Sequence, residues 1–386
     1  MDFSDPVDFV KKLIDETGPR LSGSYGEQKA GEIIYDEMGK FADSVDKEYY
    51  VSRPRGFLDF IWFTAFFYII GSIFYFFGYP IISTALIILS LLIYIFQQNL
   101  LLEVIDIFFP RVKEFHVLGK IKPKNNEKNL VILSAHYDSA YEFPLLGRHR
   151  KKGILFLNLT VFVAIISLIL SILRIFIKSN LIDPVEYTFL IAGTAMILYV
   201  SIFLRSKDAV PGANDDLAAV GAIMDAGRML SKNRPENTEV WILAIAGEEH
   251  MRGSKRFIRN HIDELKKRNA IVFNLETPSG DYFLITTEEK MFLAKHSHEA
   301  VKILEEAAKS LNVRYRVGPL QFLGSDGANF SKMGIRAVTM FGLSEMDDMP
   351  YYWHTMDDVP ENLNREMVEK SRDIFLRAVE IIDKGK

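Results

Sequence analysis

The chain has 386 residues, 49% of them apolar, and a formal net charge of -4, enough for one large α/β domain or two ordinary ones. It has no cysteine, which excludes disulfides, thiolate metal ligands and a cysteine nucleophile. Its charges are spread along the polar stretches without a basic stripe, which excludes a nucleic-acid-binding surface.

In chain order, "PVDFVKKLIDETG" and "GEQKAGEIIYDEMGKF" carry apolar residues at helical spacing, and "EYYVSR" reads as a strand. From Phe57 to Leu102, two apolar segments flank Gly78-Tyr79-Pro80, each near the ~20 residues that span a bilayer. "FHVLGKI" and "NLVILSAHYD" are predicted strands. From Gly153 to Leu204, "ILFLNLTVFVAIISLILSILRIFI" and "VEYTFLIAGTAMILYVSIFL" flank the polar turn "KSNLIDP". The remainder alternates the helices "LAAVGAIMDAGRMLSK", "RFIRNHIDELKK", "SHEAVKILEEAAKSLN" and "NREMVEKSRDIFLRAVEIIDK" with the strands "EVWILAIAG", "AIVFNLE", "DYFLITT" and "RAVTMFG". Near-continuous apolar runs such as "VWILAIA" belong to central strands covered by helices on both faces. The fold class is therefore α/β, with a mixed, mostly parallel sheet flanked by helices.

Helices that stay apolar all round for this length are expected to lie in a membrane. The division is then 1–56, 103–152 and 205–386 for one catalytic domain, with transmembrane hairpins at 57–102 and 153–204 inserted in it. Two hairpins return the chain to the face it left. That face carries Arg53, Arg55, Arg111, Lys113, Arg148, Arg150, Lys151, Lys152, Arg205 and Lys207 near the helix ends, against Arg174 and Lys178 in the opposite turns. The positive-inside rule then predicts a multi-pass protein of the cell membrane, with four helices in the lipid bilayer and its polar domain in the cytoplasm. Met1 to Arg55 is polar, and no cleavable signal peptide is expected there.

Ligands of open α/β sheets gather outside the carboxyl ends of the strands. "LVILSAHYDS" ends in His136 and Asp138, "WILAIAGEE" in Glu248 and Glu249, and "IVFNLE" in Glu276. "VPGANDDLAAV" carries Asp215 and Asp216, and "YYWHTMDD" carries His354. So many anions converging without basic partners implies bound cations, and imidazole with carboxylate suits zinc, with Mn2+ or Co2+ as substitutes. One glutamate of the adjacent pair can then bind a metal while the other handles protons.

The motifs "GPRLSGSYGEQKAGEII", "AHYDS", "PGANDDLAAV", "AGEEHMRGS", "FNLET", "GSDGANFSKMGI" and "WHTMDDVPENL", in this order, resemble the family-28 metallopeptidases of clan MH, and their membrane-bound members related to endoplasmic-reticulum metallopeptidases in particular. The resemblance implies a zinc-exopeptidase-like fold, two Zn2+ ions and hydrolysis of a peptide substrate, with aminopeptidase action on apolar or membrane-proximal peptides as the leading expectation. It implies that Asp215 bridges both metals, that His136 and Glu276 complete one site, and that Glu249 and His354 complete the other. It makes Glu248 the general base, Asp138 the supporting partner of His136, and Asp358 a partner of the same kind for His354. Ser325-Asp326 matches a segment near the pocket wall. Other classes with this likeness are a non-catalytic receptor- or scaffold-like homologue and a single-zinc glutaminyl-cyclase-like acyltransferase. The sequence sets neither the oligomeric state nor the physiological substrate.

Other residues carry plainer expectations. Asp216 is expected to cap a helix. His250, His261, His296 and His298 lie in charged helical contexts and are expected at the surface, while His116 and His149 receive no role. Tyr351, Tyr352 and Trp353 divide evenly between packing and lining a pocket. No G-x-S-x-G elbow and no H-E-x-x-H helix occurs, which argues against a serine hydrolase and a single-zinc zincin.

Overall fold

The computed structural model describes residues 5–177 and 181–385; Lys178 and the start of the "KSNLIDP" turn lie outside them, as do the first four residues. The chain divides into two compact units. One is formed by Met1–Pro54, Arg111–Glu142 and Asp208–Lys386, the other by Arg55–Pro110 and Phe143–Lys207.

In the first unit, nine strands among the described residues form one sheet. They are β1 (Ser44–Ser52), β2 (Val112–Ile121), β3 (Asn129–His136), β4 (Thr238–Ile245), β5 (Ile271–Glu276), β6 (Tyr282–Glu289), β7 (Ala294–Lys295), β8 (Tyr315–Leu320) and β9 (Arg336–Leu343). The order is β1-β2-β4-β3-β5-β9-β6-β7, with β8 on β6. The central run β4-β3-β5-β9 is parallel, and β1, β2, β6 and β7 add antiparallel pairings. The sheet is thus mixed with a parallel centre, as its apolar central strands require.

Alternation along the strands divides the core in two. Val131, Leu133 and Ala135 of β3 and Val240, Ile242 and Ala244 of β4 share one cluster with Phe9, Ile34, Ile223, Leu304 and Phe375. Those five come from the helices Pro6–Thr17, Tyr25–Met38, Ala218–Lys232, His298–Ser310 and Arg365–Asp383. Ile132, Trp241 and Leu243 face the other way, onto Phe257 and Ile258 of helix Gly253–Lys267 and Phe330 of helix Asp326–Lys332. Two strands were not legible in advance. β7 is two residues long, and β8 reads "YRVGPL", whose Gly318 and Pro319 suit the edge position it takes beside β6.

The second unit contains, among the described residues, four helices long and apolar enough to cross a membrane: Arg55–Phe76, Pro80–Asn99, Lys151–Phe176 and Ile182–Phe203. Their interior combines Ile87, Leu190 and Ile197 with many small and hydroxyl side chains. Tyr68 Oη pairs with Ser167 Oγ at 2.8 Å, Thr84 Oγ1 with Ser171 Oγ at 2.8 Å, and Ser90 Oγ donates to the Thr64 carbonyl at 2.8 Å. A Cβ at Gly193 would collide with the Tyr68 hydroxyl. Large apolar side chains such as Trp62, Phe66, Ile81, Phe162 and Ile191 point outward. Close approach through small residues with large apolar groups outside is the packing that a lipid solvent favours.

Candidate metal centre

The parallel strands end level with one another, His136 pairing opposite Ile245 at the end of β4. The chain leaves β4 through Gly247, whose φ of +73° is a left-handed conformation that glycine adopts without strain. It then turns through Glu248 and Glu249 into helix Gly253–Lys267. A Cβ at Gly253 would collide with the Ala246 carbonyl oxygen, so glycine permits this helix to start directly beneath the turn. Met251, Thr277 and His354, all next to or among the predicted ligands, also have positive φ, a strain that clusters at functional sites.

The predicted ligands meet in overlapping groups. His136, Asp215 and Glu276 form one, with their ligand atoms within 4.8 Å of one another, and Asp215, Glu249 and His354 form a second. His136, Glu248 and Glu249 meet the same criterion. Asp215 divides its carboxylate between the first two groups. Its Oδ1 lies 3.2 Å from His136 Nε2, and its Oδ2 lies 3.2 Å from His354 Nε2. His136 Nε2 is 3.5 Å from Glu276 Oε2, and His354 Nε2 is 3.3 Å from Glu249 Oε2. Glu248 Oε2 stands 3.9 Å from His136 Nε2.

The electrostatics of this cluster favour a cation. Glu249 Oε1 is buried without a hydrogen-bond donor, and leaving a buried anion uncompensated is costly. Burial pushes Glu248 well above the usual carboxylate range and Glu276 up to about 8. Burial opposes a charged imidazole, yet Asp138, Asp215 and Glu276 around His136 raise its pKa well above the ordinary value, and Glu249 and Asp215 raise that of His354 to about 9. Burial also opposes ionisation of Asp215, but hydrogen bonds from the two imidazoles hold it below the usual range. Protons here do the work that a divalent ion does better: donor atoms that are all nitrogen and oxygen, with no sulfur, fit zinc.

The surrounding residues fix the ligands. Asp138 accepts from the backbone N–H groups of Glu248 and Glu249, both at 3.2 Å. Its Oδ1 is 3.4 Å from His136 Nδ1, whose ring also faces the Asp138 carbonyl at 3.2 Å. Asn274 Nδ2 donates to Glu276 Oε1 at 2.8 Å.

Asp358 accepts from the N–H groups of Asn214 at 2.7 Å and Asp215 at 3.1 Å, and so holds the backbone that presents Asp215. Asp216 is not the helix cap it was expected to be. Its buried carboxylate accepts from the N–H groups of Thr277 at 2.9 Å and His136 at 3.3 Å, tying together the ends of β3 and β5. A cap must face its own helix, whereas Asp216 is turned toward the strand ends. Asp326 is buried near the cluster, and burial pushes its pKa up to about 7.

The histidine expectations divide. His298 is exposed, but His250 is fully buried with Nε2 3.1 Å from Glu114 Oε1. The His296 side chain is enclosed between Ser331 Oγ at 2.9 Å and Glu289 Oε1 at 3.0 Å. His261 is partly buried against Glu48 at 2.8 Å. Glu114 and Glu48 lie far from His250 and His261 in sequence, which explains why local context suggested a surface for those two, whereas Glu289 is seven residues from His296 and meets it through the pairing of β6 with β7. His116 stacks on Tyr50 at 4.5 Å, accepts the Ala246 N–H at 3.2 Å, and is driven by burial to a pKa of about 3. Near His354, Trp353 packs against the cluster of Tyr282, Leu320 and Phe341, and Tyr351 donates to Asp281 Oδ2 at 2.7 Å.

Arg20, inside "GPRLSG", is the residue that motif reading left without a role. It is fully buried, and burial lowers its pKa to about 10, so it stays charged at neutral pH. Its Nε donates to the Tyr137 carbonyl at 2.7 Å, Nη1 to Pro211 at 2.8 Å and Gly18 at 3.2 Å, and Nη2 to Gly212 at 2.8 Å. One guanidinium therefore ties the exit of β3, bearing His136, to the loop bearing Asp215. Replacing Arg20 with methionine leaves these carbonyls without their donor and is expected to lower stability by about 2–4 kcal/mol. A shift of the urea midpoint at unchanged slope measures this.

Comparisons with known proteins show what the chain is similar to. Residues 197–379 match the pattern of Peptidase family M28. The aminopeptidase YwaD of Bacillus subtilis (strain 168) is 25% identical over 200 residues, covering 49% of this chain and 42% of that protein, so the match spans less than half of the relative. Among solved structures, a Bacteroides thetaiotaomicron glutaminyl cyclase bound to N-acetylhistamine is similar with a TM-score of 0.60 at 14% identity, over 98% of this chain and 97% of that one. A Zn-dependent exopeptidase from Parabacteroides distasonis matches at a TM-score of 0.58 and 14% identity, over 99% and 97%. These structural likenesses show the fold, a mixed α/β fold like that of zinc exopeptidases, and the sequence matches are to a peptidase family and an aminopeptidase. Residues 197–379 are thus similar to Peptidase family M28, the family that the motifs of this chain resemble.

Proposed function

We propose that this chain is a membrane-anchored di-zinc metallopeptidase that removes residues from the amino termini of apolar peptides. The observation that carries the reading is the division of the Asp215 carboxylate between two groups of ligands, each with its own imidazole and second carboxylate. His136 and Glu276 would hold one ion and His354 and Glu249 the other, with Asp215 shared. Zinc, when bound, supplies the Lewis acidity that amide hydrolysis needs at neutral pH. Glu248 takes the proton of the attacking water on its carboxylate and returns it to the leaving amine. Its raised proton affinity suits that exchange. Asp138 keeps the Glu248–Glu249 turn and the His136 ring in register, Asp358 and Arg20 hold the Asp215 loop, and Asp216 clamps the strands that bear His136 and Glu276. A scaffold would not need both ligand groups filled, and a single-zinc cyclase would not need the second.

In this reading, segments 57–102 and 153–204 form two hairpins in the cell membrane, and the excess of Lys and Arg at one set of helix ends puts the catalytic domain on the cytoplasmic face. Apolar substrates follow from the second hairpin, which is inserted in sequence between the ligands His136 and Asp215. Mass spectrometry of products from peptides with free and acetylated amino termini tests the activity. The expected result is stepwise loss of residues from free termini only. Cleavage of acetylated peptides would contradict aminopeptidase action, and loss of ammonia from amino-terminal glutamine without chain cleavage would favour the cyclase class.

A further inference from the structure

The apolar-helix unit contains a cavity of about 460 Å³, within the size range of pockets that hold small ligands. It lies where the short helix Pro144–His149 meets the helices Lys151–Phe176 and Ile182–Phe203. Gly153 makes the junction possible, since a Cβ there would lie 2.6 Å from the Leu145 carbonyl oxygen. His149 and Lys152 line one end, while Phe156, Ala195, Met196 and Tyr199 supply apolar wall. Lys152 is the second residue of its helix. Met196 lies well inside the helix that ends at Phe203, about 10 Å from that end at 1.5 Å per residue. The cavity thus runs from the basic end of the helices into their apolar portion. Among the described residues no acidic side chain lines it, and the His149 and Lys152 that do belong to the basic run Arg148–Lys152 in sequence.

We infer that this cavity binds one anionic glycerophospholipid, its phosphate at His149 and Lys152 and one acyl chain along Phe156, Met196 and Tyr199. The inference rests on the proposed placement of these helices in a bilayer. Charge at one end and hydrocarbon along the rest is complementary to an amphiphile with a negative head. A free phosphate leaves the apolar wall uncovered, and a lipid without net charge leaves the Lys152 ammonium unmatched. Basic pockets between membrane helices are suited to anionic headgroups.

The test uses the full chain, purified in detergent and stripped of lipid, with native mass spectrometry reading retained dioleoyl-phosphatidylglycerol, dioleoyl-phosphatidylcholine or inorganic phosphate. The phosphatidylglycerol adduct is expected to be preferred over phosphatidylcholine by about tenfold or more. The double variant His149→Ala/Lys152→Ala should bring the two lipids level. Ala195→Trp, or the milder Ala195→Leu, fills the cavity without changing charge and should reduce retention of both. Equal retention of both lipids by the wild-type chain would overturn the inference, as would undiminished phosphatidylglycerol binding in both cavity-filling variants or full competition by inorganic phosphate. Recovery of the chain as a monodisperse soluble protein without detergent would instead overturn the membrane placement itself.

Discussion

Glu248→Gln is expected to lower kcat by about 10²–10⁴-fold while zinc content and KM stay close to wild type. The substitution keeps the shape of the side chain and removes its capacity to accept a proton. The backbone of residue 248 remains anchored, because its N–H donates to Asp138 Oδ1 at 3.2 Å. Glu248 belongs to neither of the groups that contain Asp215, so both proposed ion sites keep their ligands. A loss confined to kcat, together with unchanged metal by elemental analysis, would identify Glu248 as the proton carrier. Near-normal turnover would show that another group moves the proton.

Asp215→Ala is expected to abolish both activity and zinc-dependent stabilisation. Asp215 is the member common to the His136–Glu276 and His354–Glu249 groups, so its removal takes a ligand from each. A ligand bound only to the folded state stabilises it by about 2.7 kcal/mol at a hundredfold excess over Kd, which raises Tm by a few degrees in a chain of this size. The wild type should therefore melt higher in buffered zinc than after chelation, Glu248→Gln should respond likewise, and Asp215→Ala should not respond. A full zinc response in Asp215→Ala would show that the ions are held elsewhere.

Much of the fold was legible because central strands declare themselves by composition. "NLVILSA" and "VWILAIA" are apolar on both faces, and the structure covers them with helices on both sides. The proposed ligands could be named for a related reason, since several stand as a carboxylate or imidazole at the end of such a strand, and the structure brings them together in overlapping groups. The supporting shell was hidden because it works through long-range contacts with backbone. Arg20 reaches the carbonyls of Tyr137, Pro211 and Gly212, and Asp358 reaches the N–H groups of Asn214 and Asp215. No local pattern distinguishes such residues from exposed charges. Asp216 misled for the same reason: an aspartate before a helix suits a cap, and only the fold turns it toward β3 and β5. His250 and His296 were placed at the surface by their charged neighbours, whereas Glu114, far away in sequence, receives His250 in the interior and Glu289, on the neighbouring strand, receives His296.

The central claim is that Asp215 joins two ions in one centre, and the metal content of the purified chain tests it most directly. After equilibration in buffered zinc and removal of excess ion, elemental analysis is predicted to give two zinc ions per wild-type chain, with both lost in Asp215→Ala. One ion per chain, or two that survive the loss of Asp215, would contradict the account.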